Sequence, residues 1–407
     1  MILYVRSDRG ANSARRSRKI DSICETWREL GFEVDQVCGG DVIGAAGSST
    51  GIPAPPKQPG PWTTEPGLKG FAASLRYSVS EFRDIRHDKV LKAFLLERFG
   101  SKKPELIWHR ASRLHLAPMQ AARELGVPYV LEWIDALVAY DHSLFRARAL
   151  AADRERMKAA FRVLVVSEAW KRDIAAEYGV PMERIIVSHN AVYPEQFVRD
   201  PEAGKRIREK MKIPANAFVV GFVGSYAWFH QVHMIAEAAA RLRERGIGPV
   251  YWLAVGEGPN RQKLDAISTQ LGVDDLVIRQ GRVPHDEVSH WLSAMDAAVM
   301  MSIGGEIIVP VKVPEYMAAA LAPIVAETPA SREVVDDGRT GLLFRPDDSA
   351  SMADAVARLV ASPGLAGELG RAACEEAKAR FTWKRTWGKA LLDIAADAGI
   401  LPAASTR

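Results

Sequence analysis

The chain has 407 residues, 48% of them hydrophobic and 26% charged, with a formal net charge of +4. That length suits two or three domains of roughly 150 residues, and the balance excludes a disordered or fibrous chain. No run of about eighteen apolar residues would span a membrane, and Cys24, Cys38 and Cys374, without CxxC spacing, exclude a disulfide framework and a structural zinc site.

The opening MILYVRSDRG lacks the apolar core of a signal peptide and reads as a strand entering a basic loop, so a reducing cytoplasmic location is expected. Arg6, Arg9, Arg15, Arg16, Arg18 and Lys19 crowd this region. They form either a solvated face or a surface for an anionic acceptor or the inner face of a membrane, held peripherally. No aromatic stacking pattern accompanies them, which argues against nucleic acid. After ILYV the spacing predicts a helix near Ser17 to Leu30, then the strand FEVDQV. Residues Gly44 to Gly70, rich in glycine, serine and proline, cannot build a core and predict a mobile loop, either a plain insertion or a cover for an acceptor site. The short runs ELIWH, PYVLEW, RVLVVS and RIIVS alternate with helical patterns, which is the signature of a parallel sheet covered on both faces.

A second series begins at FVVGFVG and continues through VYWLAVG, LVIRQG, AAVMM, API and GLLF, with the boundary between about Val192 and Ala217. The expected architecture is α/β: a first domain over residues 1–200, a second over 213–381, both doubly wound and Rossmann-like, facing each other across a cleft. A last helix, residues 383–398, crosses back to the first domain. The first turn of the second domain, with Gly221 and Gly224 and a helix expected to start near Gln231, offers backbone amides to an anion such as a diphosphate. Farther on, PVKVPEYMAAALAPIVA sets Lys312 three residues before Glu315 at a helix start. Two readings stand: a phosphate-binding cation beside a ribose-binding carboxylate, or an i,i+3 ion pair worth a few tenths of a kcal/mol.

The ordered motifs of the second half, the Gly-rich turn, AVGEGPNRQKL, RQGRVPHDEV, PVKVPEYMAAALAPIVAE and REVVDDGRTGLLF, resemble those of the family-four glycosyltransferases, retaining enzymes of the GT-B fold. GVPYVLEWIDAL, the stretch from VLVVSEAW to NAVYPEQF, and FTWKRTWGKALLDI extend the resemblance over nearly the whole chain. It implies transfer of a hexose from a nucleoside diphosphate sugar, such as a UDP-sugar, to an acceptor hydroxyl with retained anomeric configuration. The setting would be polysaccharide, lipopolysaccharide or glycoconjugate biosynthesis; the other reading is a catalytically idle nucleotide-sugar-binding partner. No metal and no cofactor beyond the donor are implied. Lys312 would neutralise the diphosphate, held also by amides around Gly224, Ser225 and Tyr226; Glu315 would bind the ribose, and main-chain groups of Arg282 and Val283 the base.

The sequence departs from the family at several points. The sugar-orienting glutamate expected eight positions before Glu315 is Ile307; either the neighbouring Glu306 or the amides of Gly304 to Ile308 would replace it. Ser225 and His230 stand where the family carries an arginine and a lysine; His230 is read either as a donor to a phosphate oxygen, with Trp228 shielding it, or as a surface histidine. On the acceptor side the candidate carboxylates are Asp135 and then Glu132, with His109 third, each alternatively a local structural group. Glycans, lipid-linked glycans and small molecules all remain open as acceptors.

Overall fold

The computed structural model describes residues 1–7, 18–39, 41–43, 49–50, 68–112, 114–133, 143–303 and 311–402. The chain divides into two compact units, Met1–His189 with Trp387–Arg407, and Asn190–Thr386. Residues 190–212, including the helix Pro201–Lys210, thus pack with the second unit. That helix begins where Asp200 accepts from the amides of Glu202 and Ala203 and Pro201 sets the first turn.

The first unit contains β1 (Ile2–Arg6), β2 (Val34–Cys38), β3 (Asp41–Ile43), β4 (Ser49–Thr50), β5 (Leu106–Arg110), β6 (Tyr129–Glu132), β7 (Arg162–Val165) and β8 (Ile185–Val187). Their order is β4-β3-β2-β1-β5-β6-β7-β8. From β2 to β8 the neighbours are parallel. The expectation of a wholly parallel sheet fails at one edge, where β3 and β4 pair antiparallel. β3 precedes the segment Gly44 to Gly70 read as a loop and β4 falls within it; Leu68 to Gly70 already belong to a helix, and residues 44–48 and 51–67 lie outside the described ones. The expected first helix spans Arg18–Glu29, and a helix of 32 residues, Leu68–Phe99, precedes β5.

An aromatic cluster closes this unit. Tyr4, Trp27, Trp108 and Trp387 are fully buried. Trp27 and Trp108 meet edge-on at 4.6 Å, Trp108 and Trp387 lie 6.4 Å apart, and the Trp27 indole donates to the Trp387 carbonyl at 3.0 Å. The Trp387 indole donates in turn to the His189 carbonyl at 3.1 Å. Each ring removes a large apolar area from water while its indole N–H or, for Tyr4, its hydroxyl finds a partner, so the last segment is part of this core. The helix Lys389–Asp397 completes it, with Arg162 paired to Asp397 at 2.7 Å.

The second unit has β9 (Phe218–Val223), β10 (Val250–Val255), β11 (Val277–Gln280), β12 (Ala297–Met300), β13 (Ala322–Ala326) and β14 (Leu342–Phe344). All neighbours are parallel, in the order β11-β10-β9-β12-β13-β14. Val220, Phe222, Trp252, Ala254, Val299, Ile324 and Phe344 form one core with Ile235, Ala239, Met352 and Val356 from helices. Strands buried on both faces explain why the sequence shows continuous apolar runs rather than alternation. Because β10 lies on one side of β9 and β12 on the other, the connections diverge there. A crevice opens beyond the carboxyl ends of such strands, where ligands bind in open α/β sheets.

Candidate functional site

Glycines at the carboxyl end of β9 and β10 let two turns touch backbone to backbone. A Cβ on Gly256 would fall 1.8 Å from the Gly224 carbonyl oxygen, and one on Gly258 would fall 2.7 Å from the Tyr226 nitrogen. Both lie far inside van der Waals contact, so only glycine fits. The turns are then fastened: Gly224 N–H donates to Val255 O at 2.9 Å, Tyr226 N–H to Glu257 O at 3.0 Å, and the buried Tyr226 hydroxyl to Ala254 O at 3.0 Å. Asn260 donates from its side chain to Ala227 O at 3.0 Å.

This pairing corrects one expectation. The amides of Gly224 and Tyr226 are spent on the neighbouring turn and cannot hold an anion. The Ser225 N–H, in contrast, has no acceptor among the described residues, and Ser225 is exposed. The expected helix start also moves: a short 3-10 turn covers Trp228–His230, Gln231 turns left-handed, and the α-helix begins at Met234. Trp228 is half exposed and meets Phe229 edge-on.

Lys312 reaches the same turn from the other side of β9. It caps the helix Val313–Ala318, whose Pro314 sits in the first turn, and its carbonyl accepts from the amides of Glu315 and Tyr316. Tyr316 is fully buried and anchors this helix to β9: its hydroxyl accepts from Val223 N–H at 3.1 Å and faces Val223 O at 3.3 Å. The Lys312 side chain runs along the Gly224 backbone so closely that a Cβ there would fall 1.8 Å from Nζ. Beneath it lies the Phe222 ring, 5.1 Å from Nζ to the centroid. Lys312 makes no ion pair with Glu315 or any other described residue, so the simple helix-pair reading does not hold. Burial pulls the Lys312 ammonium down to a pKa of about 8, while the field of Glu315 acts weakly in the opposite sense. An enclosed cation in ion-pair contact with no described carboxylate is electrostatically suited to receive an anion.

His230 is neither the surface histidine nor the phosphate donor expected from sequence. It is 5% exposed, and its Nδ1 lies 2.6 Å from Ser225 O. Burial first, then the neighbouring Lys312, lower its pKa to about 4. A carbonyl only accepts, so Nδ1 carries the proton and Nε2 of the neutral ring has none to give. Nε2 instead faces Lys312 Nζ at 3.5 Å.

Arg282 is exposed and Val283 half-buried just past β11, after Gly281, which packs against the Glu257 carboxylate. Glu315 is half-buried in the first turn of the Lys312 helix. Glu306 and Ile307, with the amides of Gly304 to Ile308, lie outside the described residues, as does Asp135.

Glu132 is removed from the catalytic candidates. It is fully buried at the end of β6; Oε2 accepts from the Tyr4 hydroxyl at 2.7 Å and from the Trp108 indole at 3.0 Å, and Oε1 from Arg110 at 2.9 Å. Its two oxygens hold three strands together, which leaves no path to a substrate proton. His109 is likewise fully buried, between the Tyr129 hydroxyl at 2.7 Å and the Ser7 hydroxyl at 2.8 Å, and burial holds its pKa well below the ordinary range. Sequence reading missed Phe222 and Tyr316. Tyr316 lay inside a quoted motif, but only the fold shows that it tethers β9.

Among the described residues, no group of three metal-ligating side chains occurs and no helix is long and apolar enough to cross a membrane.

Residues 217–362 match the family model described as "Glycosyl transferases group 1", and residues 17–191 match that of a "Glycosyl transferase 4-like domain". The 2-deoxystreptamine glucosyltransferase of Streptomyces kanamyceticus is 27% identical over 266 residues, covering 61% of this chain and 65% of that protein. The match therefore spans just under two thirds of that relative. A D-inositol 3-phosphate glycosyltransferase of Arthrobacter is 24% identical over 320 residues, covering 75% of this chain and 74% of that protein. Among solved structures, a glycosyltransferase of Rickettsia africae superposes with a TM-score of 0.72 at 14% identity, covering 97% of each chain. An Anabaena protein in complex with UDP and glucose superposes with a TM-score of 0.70 at 16% identity, covering 97% of this chain and 100% of that one.

Proposed function

Because the two halves of the chain match glycosyltransferase family models and its fold is GT-B, we propose that the protein transfers a hexose from a nucleoside diphosphate sugar to an acceptor hydroxyl with retention of anomeric configuration. The carrying observation is Lys312, a half-buried ammonium in ion-pair contact with no carboxylate among the described residues, laid against the bare backbone of Gly224 at the switch point of the second sheet. A diphosphate supplies the missing counter-charge.

In this reading Lys312 and the Ser225 amide take up the negative charge that grows on the leaving diphosphate, where preorganised donors contribute most. Glu315 accepts from the ribose hydroxyls, and the main chain at Arg282 and Val283 meets the base. The reaction is read as front-face, the leaving phosphate receiving the acceptor proton, and the fully buried Glu132 takes no part in it. UDP-sugars come first as donors, since UDP accompanies the Anabaena structure. The relatives' names carry 2-deoxystreptamine and inositol phosphate, so small cyclic polyols come first as acceptors, ahead of glycans and lipid-linked glycans.

The test incubates the protein with a panel of UDP-hexoses and polyol acceptors, following UDP release and the anomeric coupling constant of the product by NMR. An α-linked product from an α-linked donor is expected. An inverted product removes retention; tight UDP binding with no transfer to any acceptor leaves the idle-partner reading in its place.

A further inference from the structure

Resting on the donor-site reading above, we infer that His230 is a positioning residue for Lys312: a hydrogen-bond acceptor that holds the ammonium over Gly224, not a second donor to the phosphates.

The local geometry leaves this ring little choice. His230 ends a 3-10 turn whose backbone is closed by its own N–H donating to Ala227 O at 3.0 Å. Its ring stands edge-on to Phe222 at 5.6 Å and to Phe229 at 4.5 Å, both between apolar faces. The 2.6 Å contact from Nδ1 to Ser225 O fixes the tautomer. The one remaining polar atom of the ring, Nε2, is then a lone pair aimed at Lys312 Nζ.

An ammonium has three protons to place. One directed at Nε2 leaves two for diphosphate oxygens and stops the flexible four-carbon side chain from leaving the glycine floor. Ordering a lysine before the ligand arrives lowers the entropic cost of binding. A phosphate oxygen beside Nε2 would instead meet lone pair with lone pair. Among the described residues, the titratable groups facing Lys312 are the neutral His230 across the turn and Glu315 on its own helix; Glu257, on the neighbouring turn, is paired with Arg261 at 3.3 Å.

Two measurements decide the matter. Long-range proton–nitrogen NMR on histidine-labelled protein reads the tautomer without any ligand; a neutral ring protonated on Nδ1 down to about pH 5 is expected, and an Nε2–H tautomer or an imidazolium at pH 7 overturns the assignment. The second is UDP affinity by calorimetry from pH 6 to 9 for wild type, His230→Gln, which keeps an acceptor oxygen, and His230→Leu, which has none. Wild type and the Gln variant should lose affinity together as Lys312 deprotonates. In the Leu variant the loss should begin about one pH unit lower, since an ammonium deprived of its acceptor gives up its proton more easily. A Leu variant with the wild-type profile overturns the role, as does wild-type affinity that strengthens on acidification towards pH 6 and loses that response in the Leu variant. Protein with the expected tautomer that binds no nucleoside diphosphate overturns the donor-site reading, and the positioning role with it.

Discussion

The carboxyl edges of the two sheets carry similar inventories and opposite outcomes. In the first, Glu132, Arg110, Tyr4 and Trp108 satisfy one another, and His109 is enclosed between two hydroxyls. In the second, Lys312 has an aromatic ring, an imidazole lone pair and the backbone of a glycine for company, with no carboxylate among the described residues in ion-pair contact. The difference teaches that reactive residue types do not mark a site; an unbalanced charge does. A carboxylate whose acceptor positions are filled acts as a structural bolt, whereas a desolvated cation left without its counter-ion is costly unless a ligand completes it.

The strongest way to break this comparison is at the bolt. Glu132→Ala should cost about 3 to 5 kcal/mol of stability by removing the shared acceptor of Tyr4, Trp108 and Arg110. At temperatures where the variant stays folded, turnover should change by no more than about threefold. Denaturant titration paired with initial rates checks both, and lost turnover at wild-type stability would return Glu132 to the catalytic list.

Acidification comes next. The His230 pKa of about 4 in the folded chain lies below the ordinary 6.5, so the unfolded chain takes up a proton first as pH falls. The resulting loss is absent above about pH 7, sets in near 6.5 and approaches about 3 kcal/mol at pH 4. His109 acts in the same sense, so the readout is the difference between wild type and His230→Gln in urea unfolding at pH 7 and pH 4.5. Equal acid sensitivity in the two would contradict a buried neutral ring.

Lys312→Ala should lower kcat/KM by about 100-fold, the scale of a lost charge-stabilising donor, with the melting temperature near that of wild type. Gly224→Ala sharpens the same point more gently. Its methyl would occupy the place of Nζ, and the backbone φ of 156° there favours glycine, so a loss of about tenfold in kcat/KM is expected together with a stability loss of about 1 kcal/mol or more. Activity of either variant equal to wild type would separate Lys312 from the diphosphate.

Much of the second unit was legible because each of its strands is a buried apolar run ended by a glycine or a polar turn, and Lys312 and Gly224 came from motifs of fixed spacing. What escaped was set by pairings between distant segments. The amides of Gly224 and Tyr226 are taken by carbonyls of Val255 and Glu257, more than thirty positions on, so no local pattern shows that they are occupied. Glu132 looks like a loop-facing acid in sequence; its partners Tyr4 and Trp108 come from two other strands. The antiparallel β3 and β4 sit among glycines and serines, where side-chain periodicity carries almost no signal. The state of His230 depends on one carbonyl and one ammonium, and identity alone is silent about both.

Trp387 has a consequence for how the chain is made. The first unit is interrupted by all of the second, and Trp387, near the C-terminal end, fills the core against Trp27 and Trp108. On the ribosome, Asn190–Thr386 has every residue it needs before the earlier-born unit does. Until the final segment emerges, two indoles of a nearly finished sheet stay exposed to water. A premature stop just before Trp387 should therefore give a chain whose later half is folded and whose earlier half is held open for chaperones and proteases.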